Sequence, residues 1–170
     1  MQDHVDFVVG QWGKAMPELD ASSMEVFGRM LRLLKHLAKV RAQAMAPFGF
    51  REGEFDVLAT LRRAGEPYSL SPTQLYKSLL ITSGAMTNRL NHLEQQGLIA
   101  RISDPDDKRS TRVSLTPHGR RLIEQALVVH TATQNRLLEK LSLAQREQLG
   151  SLLRQVLLTF PAEEIATDTQ

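Results

Sequence analysis

Apolar side chains recur at helical intervals along most of this chain. Phe7 to Met16 reads as a short amphipathic helix carrying Trp12 and stopped by Pro17. Ser22 and Glu25 have capping-box spacing, and Met24 to Met45 then places Phe27, Met30, Leu31, Leu34, Leu37 and Ala38 on one stripe before Pro47 and Gly49. Glu52 to Arg63 follows with Phe55, Leu58, Ala59 and Leu61, closed by Gly65. Ser71-Pro72-Thr73-Gln74 supplies an N-cap, a first-turn proline and a reciprocal glutamine for a helix ending near Leu80. A further helix starts at Thr82 or Ser83, turns Ala85, Met86, Leu90 and Leu93 inward, and ends at Gly97. Thr116-Pro117 opens a long helix to about Leu141, with Leu122, Ala126, Val129 and Leu137 aligned. Ser142 and Gln145 then cap a last helix bearing Leu149, Leu152, Leu153, Val156, Leu157 and Phe160.

Between Gly97 and Thr116 the pattern changes. Ile99 to Ile102 and Arg112 to Leu115 read as two strands, and the loop joining them is too long for a two-residue hairpin turn. Asp104-Pro105 is a turn former, and Lys108, Arg109 and Arg112 load the hairpin with cations. A short polar helix followed by a basic hairpin predicts a winged helix-turn-helix inside a mainly α (α+β) fold. The divisions expected are helices over 1–50, a winged lobe over 51–116, helices over 117–161 and a frayed tail over 162–170.

The chemistry of that lobe suits double-stranded DNA. Ser83, Gly84, Thr87, Asn88 and Asn91 lie outward on the 82–97 helix, where hydroxyls and amides bond base edges and a small first turn lets backbone approach phosphate. Lys108, Arg109 and Arg112 are expected to straddle the phosphate backbone, with Arg109 reaching a minor groove and Asp107 orienting it. Charge is partitioned accordingly. Residues 1–21 carry a net −3, residues 22–85 a net +4, residues 86–121 a net +3 and residues 122–170 a net −2, for +2 overall. A basic middle between acidic ends fits a central nucleic-acid module.

The motifs themselves resemble a known family. Ser83-Gly84-Ala85-Met86-Thr87-Asn88-Arg89-Leu90, Leu93-Glu94, Gly97-Leu98-Ile99, Asp104-Pro105 through Arg109-Ser110, Val113, Leu115-Thr116 and Gly119 are similar to the MarR (multiple antibiotic resistance regulator) pattern. The resemblance implies a homodimeric, ligand-responsive bacterial regulator whose long N- and C-terminal helices form the dimer interface. Its operator would be an inverted repeat with half-sites about 10 bp apart. Trp12, Phe55-Asp56-Val57-Leu58, Arg62-Arg63 and Pro67-Tyr68-Ser69-Leu70-Ser71-Pro72-Thr73 further resemble the urate-responsive, PecS-like branch. That likeness implies a repressor released by a small anionic aromatic ligand, urate or another purine-like or phenolic compound. Trp12 and Arg89 would contact the ligand, and Asp56 paired with Arg101 would couple it to the DNA lobe. Plainer roles stand beside these: packing for Trp12, an ion pair with Arg62 or Arg63 for Asp56, and a phosphate contact for Arg89.

Several chemistries are not expected. With no cysteine the chain has no disulfide and no thiol sensor. His4, His36, His92, His118 and His130 are scattered without metal-ligand spacing, and neither a phosphate loop nor a nucleophile motif is present, so neither cofactor nor enzyme activity is expected. No run of apolar residues approaches the ~20 of a membrane span, and the N-terminal residues lack a basic-then-apolar pattern, so cytoplasm is the expected location. The competing function is a winged-helix protein-interaction module without sequence-specific DNA binding.

Overall fold

The computed structural model describes residues 2–79, 83–104 and 109–161, without the side chains of Ser83 and Ala85. Thr82, Leu80, the wing-tip residues 105–108 with Lys108 and Asp107, and the tail over 162–170 therefore lie outside the described residues. The chain divides into two compact units, residues 1–44 and 45–170.

In the first unit, α1 runs His4–Ala15 and begins earlier than the apolar pattern suggests. Asp3 is the reason. Its carboxylate accepts the N–H groups of Val5 (2.7 Å) and Asp6 (3.0 Å), while the Asp6 carboxylate takes the Asp3 N–H at 2.6 Å. Arg29 of α2 (Ser22–Met45) then bonds Asp3 at 2.8 Å and also Asp6. These N–H donors and the guanidinium hold the Asp3 carboxyl below its usual range. The helices approach closely beside Gly28, where a Cβ would stand 3.2 Å from Val5 Cγ1. The expected Ser22/Glu25 cap is corrected: α2 already includes Ser22, whose N–H is taken at 3.0 Å by the Asp20 carboxylate.

The second unit holds the larger core. It comprises α3 (Glu54–Arg63), β1 (Ser69–Leu70), α4 (Pro72–Leu79), α5 (Ser83–Gln95), β2 (Ile99–Ser103), β3 (Thr111–Leu115), α6 (Pro117–Leu137) and α7 (Leu143–Leu157). Val57, Leu58 and Leu61 of α3, Leu75 of α4, Met86, Leu90 and Leu93 of α5, Ile99, Val113 and Ile123 are all buried. Three helices therefore pack their period-3.6 stripes against a small sheet. The sheet order is β1-β3-β2, wholly antiparallel, with Leu70 opposite Val113 and Val113 opposite Arg101. β1 was not legible in advance, since two residues carry no period and its partner lies far along the chain.

The two Ser/Gln capping boxes form as the sequence predicts. Ser71 Oγ accepts the Gln74 N–H at 3.2 Å and Gln74 Oε1 the Ser71 N–H at 2.9 Å, and Ser142 with Gln145 does likewise at 3.3 and 2.8 Å. Of the aligned α6 residues only Ala126 is buried; Leu122 and Leu137 are half-buried and Val129 exposed, and the buried face is completed by Gly119 and Ile123. The face is set by a backbone contact: a Cβ on Gly119 would lie 1.9 Å from the Leu98 carbonyl oxygen. Thr116 locks the same corner, donating its hydroxyl to Gly97 O at 2.7 Å and capping the Gly119 N–H at 3.0 Å.

α3 and α6 are also joined at the surface. Glu124 accepts from Arg62 at 2.7 Å and Arg120 at 3.1 Å, and the two guanidiniums lie over the Tyr68 ring at 5.0 and 4.7 Å. Arg62 first, then Arg120, holds the Glu124 carboxyl below its usual range. A lowered folded pKa gives stability that is complete above the ordinary carboxylate range and lost as pH falls through the lowered value.

Two outcomes follow for stability. Gly119→Ala forces a methyl into backbone and should cost about 1–3 kcal/mol in urea denaturation, against the gain alanine normally brings to a helix. Glu124→Gln should be less stable than wild type at neutral pH, with the difference closing as pH drops below the carboxylate range in thermal unfolding.

Candidate nucleic-acid interface

The 13 residues of α5 are split between two environments. Met86, Leu90 and Leu93 seat the helix on the core. Gly84, Thr87, Asn88 and Asn91 are exposed on other sides. Gly97, with φ of +66°, turns the chain directly into β2. The structure thus brings four of the five expected base-reading positions onto the solvent side of one helix. The side chain of the fifth, Ser83, lies outside the described residues.

The wing begins where Asp104 N–H meets the Ser110 carbonyl at 2.9 Å, closing the hairpin stem. Arg109 is exposed beside that stem. Arg112 is not placed as expected. Its guanidinium bonds Ser69 Oγ (3.3 Å), Ser69 O (3.0 Å) and Asp104 Oδ2 (3.2 Å), and it is half-buried. The expected straddling cation is therefore corrected to a brace that ties β1, β3 and the root of the wing together. The cause is register: β3 lies between β1 and β2, so a long side chain on it finds β1 before solvent.

Arg101 also has partners that sequence did not suggest. Its guanidinium takes the Glu94 carboxylate and, at 2.7 Å, Asn91 Oδ1, and its N–H reaches Glu94 at 3.2 Å. The Asp56–Arg101 pairing is thus not the arrangement found. β2 leaves α5 through a single tight turn, which sets Arg101 beside the last turns of that helix. Asn91 consequently has its carbonyl oxygen engaged and its amide N–H groups turned elsewhere.

Arg89 faces the opposite way, toward α3. A Cβ on Gly53 would stand 2.3 Å from Arg89 Cζ, so the guanidinium lies directly over this residue, and its φ of +76° is what favours glycine there. Gly53 is the N-cap of α3, whose first turn carries Glu54 and the half-buried Asp56. A guanidinium at a helix N-terminus concentrates positive potential there. Trp12, on α1 of the first unit, is 38% exposed. Among the described residues no group of three or more acidic or histidine side chains is arranged to hold a metal ion, and no helix is long and apolar enough to cross a membrane.

A buried two-helix seat, an exposed polar helix face and a braced hairpin make a winged helix, and comparison with known proteins agrees. A profile of the MarR family matches residues 48–110. The HTH-type transcriptional regulator PecS of Dickeya dadantii (strain 3937) is 34% identical over 152 residues, covering 89% of this chain and 92% of that one. The chain belongs to the MarR family. This MarR-family protein is also similar to the crystal structure of a mutant E. coli MarR complexed with operator DNA, at TM-score 0.66 and 26% identity over 86% of this chain and 97% of that one. BpsR of Bordetella bronchiseptica, in a structure on regulation of its DNA binding by 6-hydroxynicotinic acid, matches at TM-score 0.63 and 27% identity over 76% of this chain and 91% of that one. The protein is accordingly a winged-helix transcriptional regulator that binds DNA, and not an enzyme.

The two wing arginines should separate experimentally. Arg109→Ala should weaken binding to operator and unrelated duplex alike and lower the slope of log affinity against log salt by about 1. Arg112→Ala should instead lower unfolding stability by roughly 1–3 kcal/mol through its lost charged hydrogen bonds. Equal behaviour of the two variants in both assays would contradict the division.

Proposed function

We propose that this regulator acts in the cytoplasm as a homodimeric repressor on an inverted-repeat operator and is released by a small anionic aromatic ligand of the urate or phenolic-acid kind. The observation that carries the DNA half is the exposed polar face of α5, with Gly84, Thr87, Asn88 and Asn91 opposite or beside its apolar seat. The hydroxyl and amide groups among them match base edges, and Arg109 on the hairpin matches phosphate or a minor groove. The dimer half is supported by apolar residues that one chain leaves in water. Phe27 is 50% exposed and Leu31 68% on α2, and Leu152 and Leu157 are similarly open on α7. Stripes of this kind on long helices are what a second copy covers.

The ligand half rests on Arg89 and on the chemistry of a relative's effector. In BpsR the molecule concerned is 6-hydroxynicotinic acid, a carboxylate on a heteroaromatic ring. Arg89 at the N-terminus of α3 offers charge for such an anion; stacking on a flat indole ring is the role that the family resemblance implies for Trp12. Asp56, in the same first turn, is repelled by an arriving anion. Drawing Arg89 away from Gly53 then changes how α5 sits on α3, and Arg101, through Asn91, carries the change to the DNA face. Ligand binding thereby favours the arrangement that binds DNA less well.

Urate, xanthine and salicylate should be titrated against the protein while Trp12 emission and operator binding are followed in parallel. At least one should quench Trp12 and release DNA over the same concentration range, and Arg89→Ala should abolish both responses. Unchanged emission and unchanged operator affinity with all three compounds would refute the ligand class.

A further inference from the structure

The inner edge of α5 carries a polar contact that neither the MarR resemblance nor base recognition accounts for. Glu54, in the first turn of α3, is 1% exposed. One carboxylate oxygen accepts the Arg51 N–H at 2.8 Å, and the other is engaged by Nδ1 of His92 on α5. Both oxygens are used, and among the described residues no buried side-chain polar atom lacks a partner. One turn before His92, Arg89 covers Gly53. Two neighbouring side chains of α5 therefore grip two consecutive residues at the start of α3.

A buried carboxylate is a costly way to hold two helices together. Well-packed apolar residues of the same size give equal or greater stability, so such a pair is better read as a device for geometry than for strength. The apolar seat of α5 is non-directional, because Met86, Leu90 and Leu93 tolerate small rotations with little loss of contact. A hydrogen bond does not, since it weakens steeply as its angle opens. The angular tolerance matters here because Asn88 stands one turn before His92 on adjacent surface. Rotating a helix by about 10° moves a side-chain tip some 5–6 Å from its axis by about 1 Å.

We propose that Glu54 and His92 are positioning residues for sequence reading. Their hydrogen bond fixes the rotation of α5 about its own axis, so that Asn88 and Thr87 meet base edges in register. The inference rests on α5 being the base-reading helix. It predicts a loss confined to sequence preference, because phosphate contacts from the wing and the helix start tolerate such a rotation.

The test uses the full-length protein, a duplex selected from random sequence by the wild type, and a scrambled duplex of equal length and composition. His92→Ala, folded at the assay temperature by circular dichroism, should bind the selected duplex about tenfold or more weakly. Its affinity for the scrambled duplex and its salt slope should stay within about twofold of wild type. His92→Asn, whose amide N–H occupies the place of Nδ1–H, should restore most of the preference. His92→Gln fills similar volume but directs its amide toward the Nε2 position, so it carries the same expectation as the alanine variant if that one fails to fold. A folded His92→Ala or His92→Gln protein with wild-type preference overturns the positioning role alone, as does equal weakening on both duplexes. A wild type that selects no sequence overturns the reading helix and the positioning role together.

Discussion

The seat of α5 is the constraint on which the rest of this molecule depends. A helix of 13 residues is marginal by itself, and its stability comes from the apolar face it buries. Met86, Leu90 and Leu93 fill that face against α3, α4 and β2, and everything functional follows from what is left over. Exposed Gly84, Thr87, Asn88 and Asn91 lie outside the core packing, so they can be small and polar. The edges of the seat are held by directional contacts: Glu54 with His92 on one side, Glu94 and Asn91 with Arg101 on the other. α5 is thereby held by directional contacts as well as apolar ones, and most of the side chains we propose for base reading stay out of the mounting.

Charge in the lobe divides between two tasks. Arg101 and Arg112 commit their guanidiniums to protein acceptors and stiffen the sheet, the wing root and the end of α5. Arg109 is exposed at the hairpin. Counting cations along the basic middle of the chain therefore overstates the number available to phosphate. A salt-dependence slope for this protein should reflect fewer contacts than its lysines and arginines suggest.

What could be read from the chain alone was what is encoded locally. The Ser71/Gln74 and Ser142/Gln145 boxes formed because both partners lie within four residues of each other. The inward faces of α3 and α5 followed from period, and the two wing strands from short runs between Gly97 and Thr116 split by the Asp104-Pro105 turn former. The misses are contacts closed over distance or by unfamiliar chemistry. Asp3 with Asp6 is an acidic version of a capping box, and Asp20 took the cap expected of Ser22. β1 exists only because β3 pairs with it, and the buried face of α6 includes Gly119 and Ile123 because Gly119 meets the Leu98 carbonyl. Glu54 carries a signal in the sequence: it precedes Leu58 by four positions and Leu61 by seven, so periodicity places a carboxylate on the buried face, where a partner must exist.

Because the natural chain has no cysteine, a single introduced thiol reports one position without interference. Asn88→Cys carrying a tethered iron chelate, bound to a selected operator, tests the placement of α5 in the groove most directly. Strand cleavage is expected in two clusters about one helical turn apart, one from each recognition helix of a dimer. Cleavage scattered along the duplex without register, or none while the protein is bound, would contradict that placement.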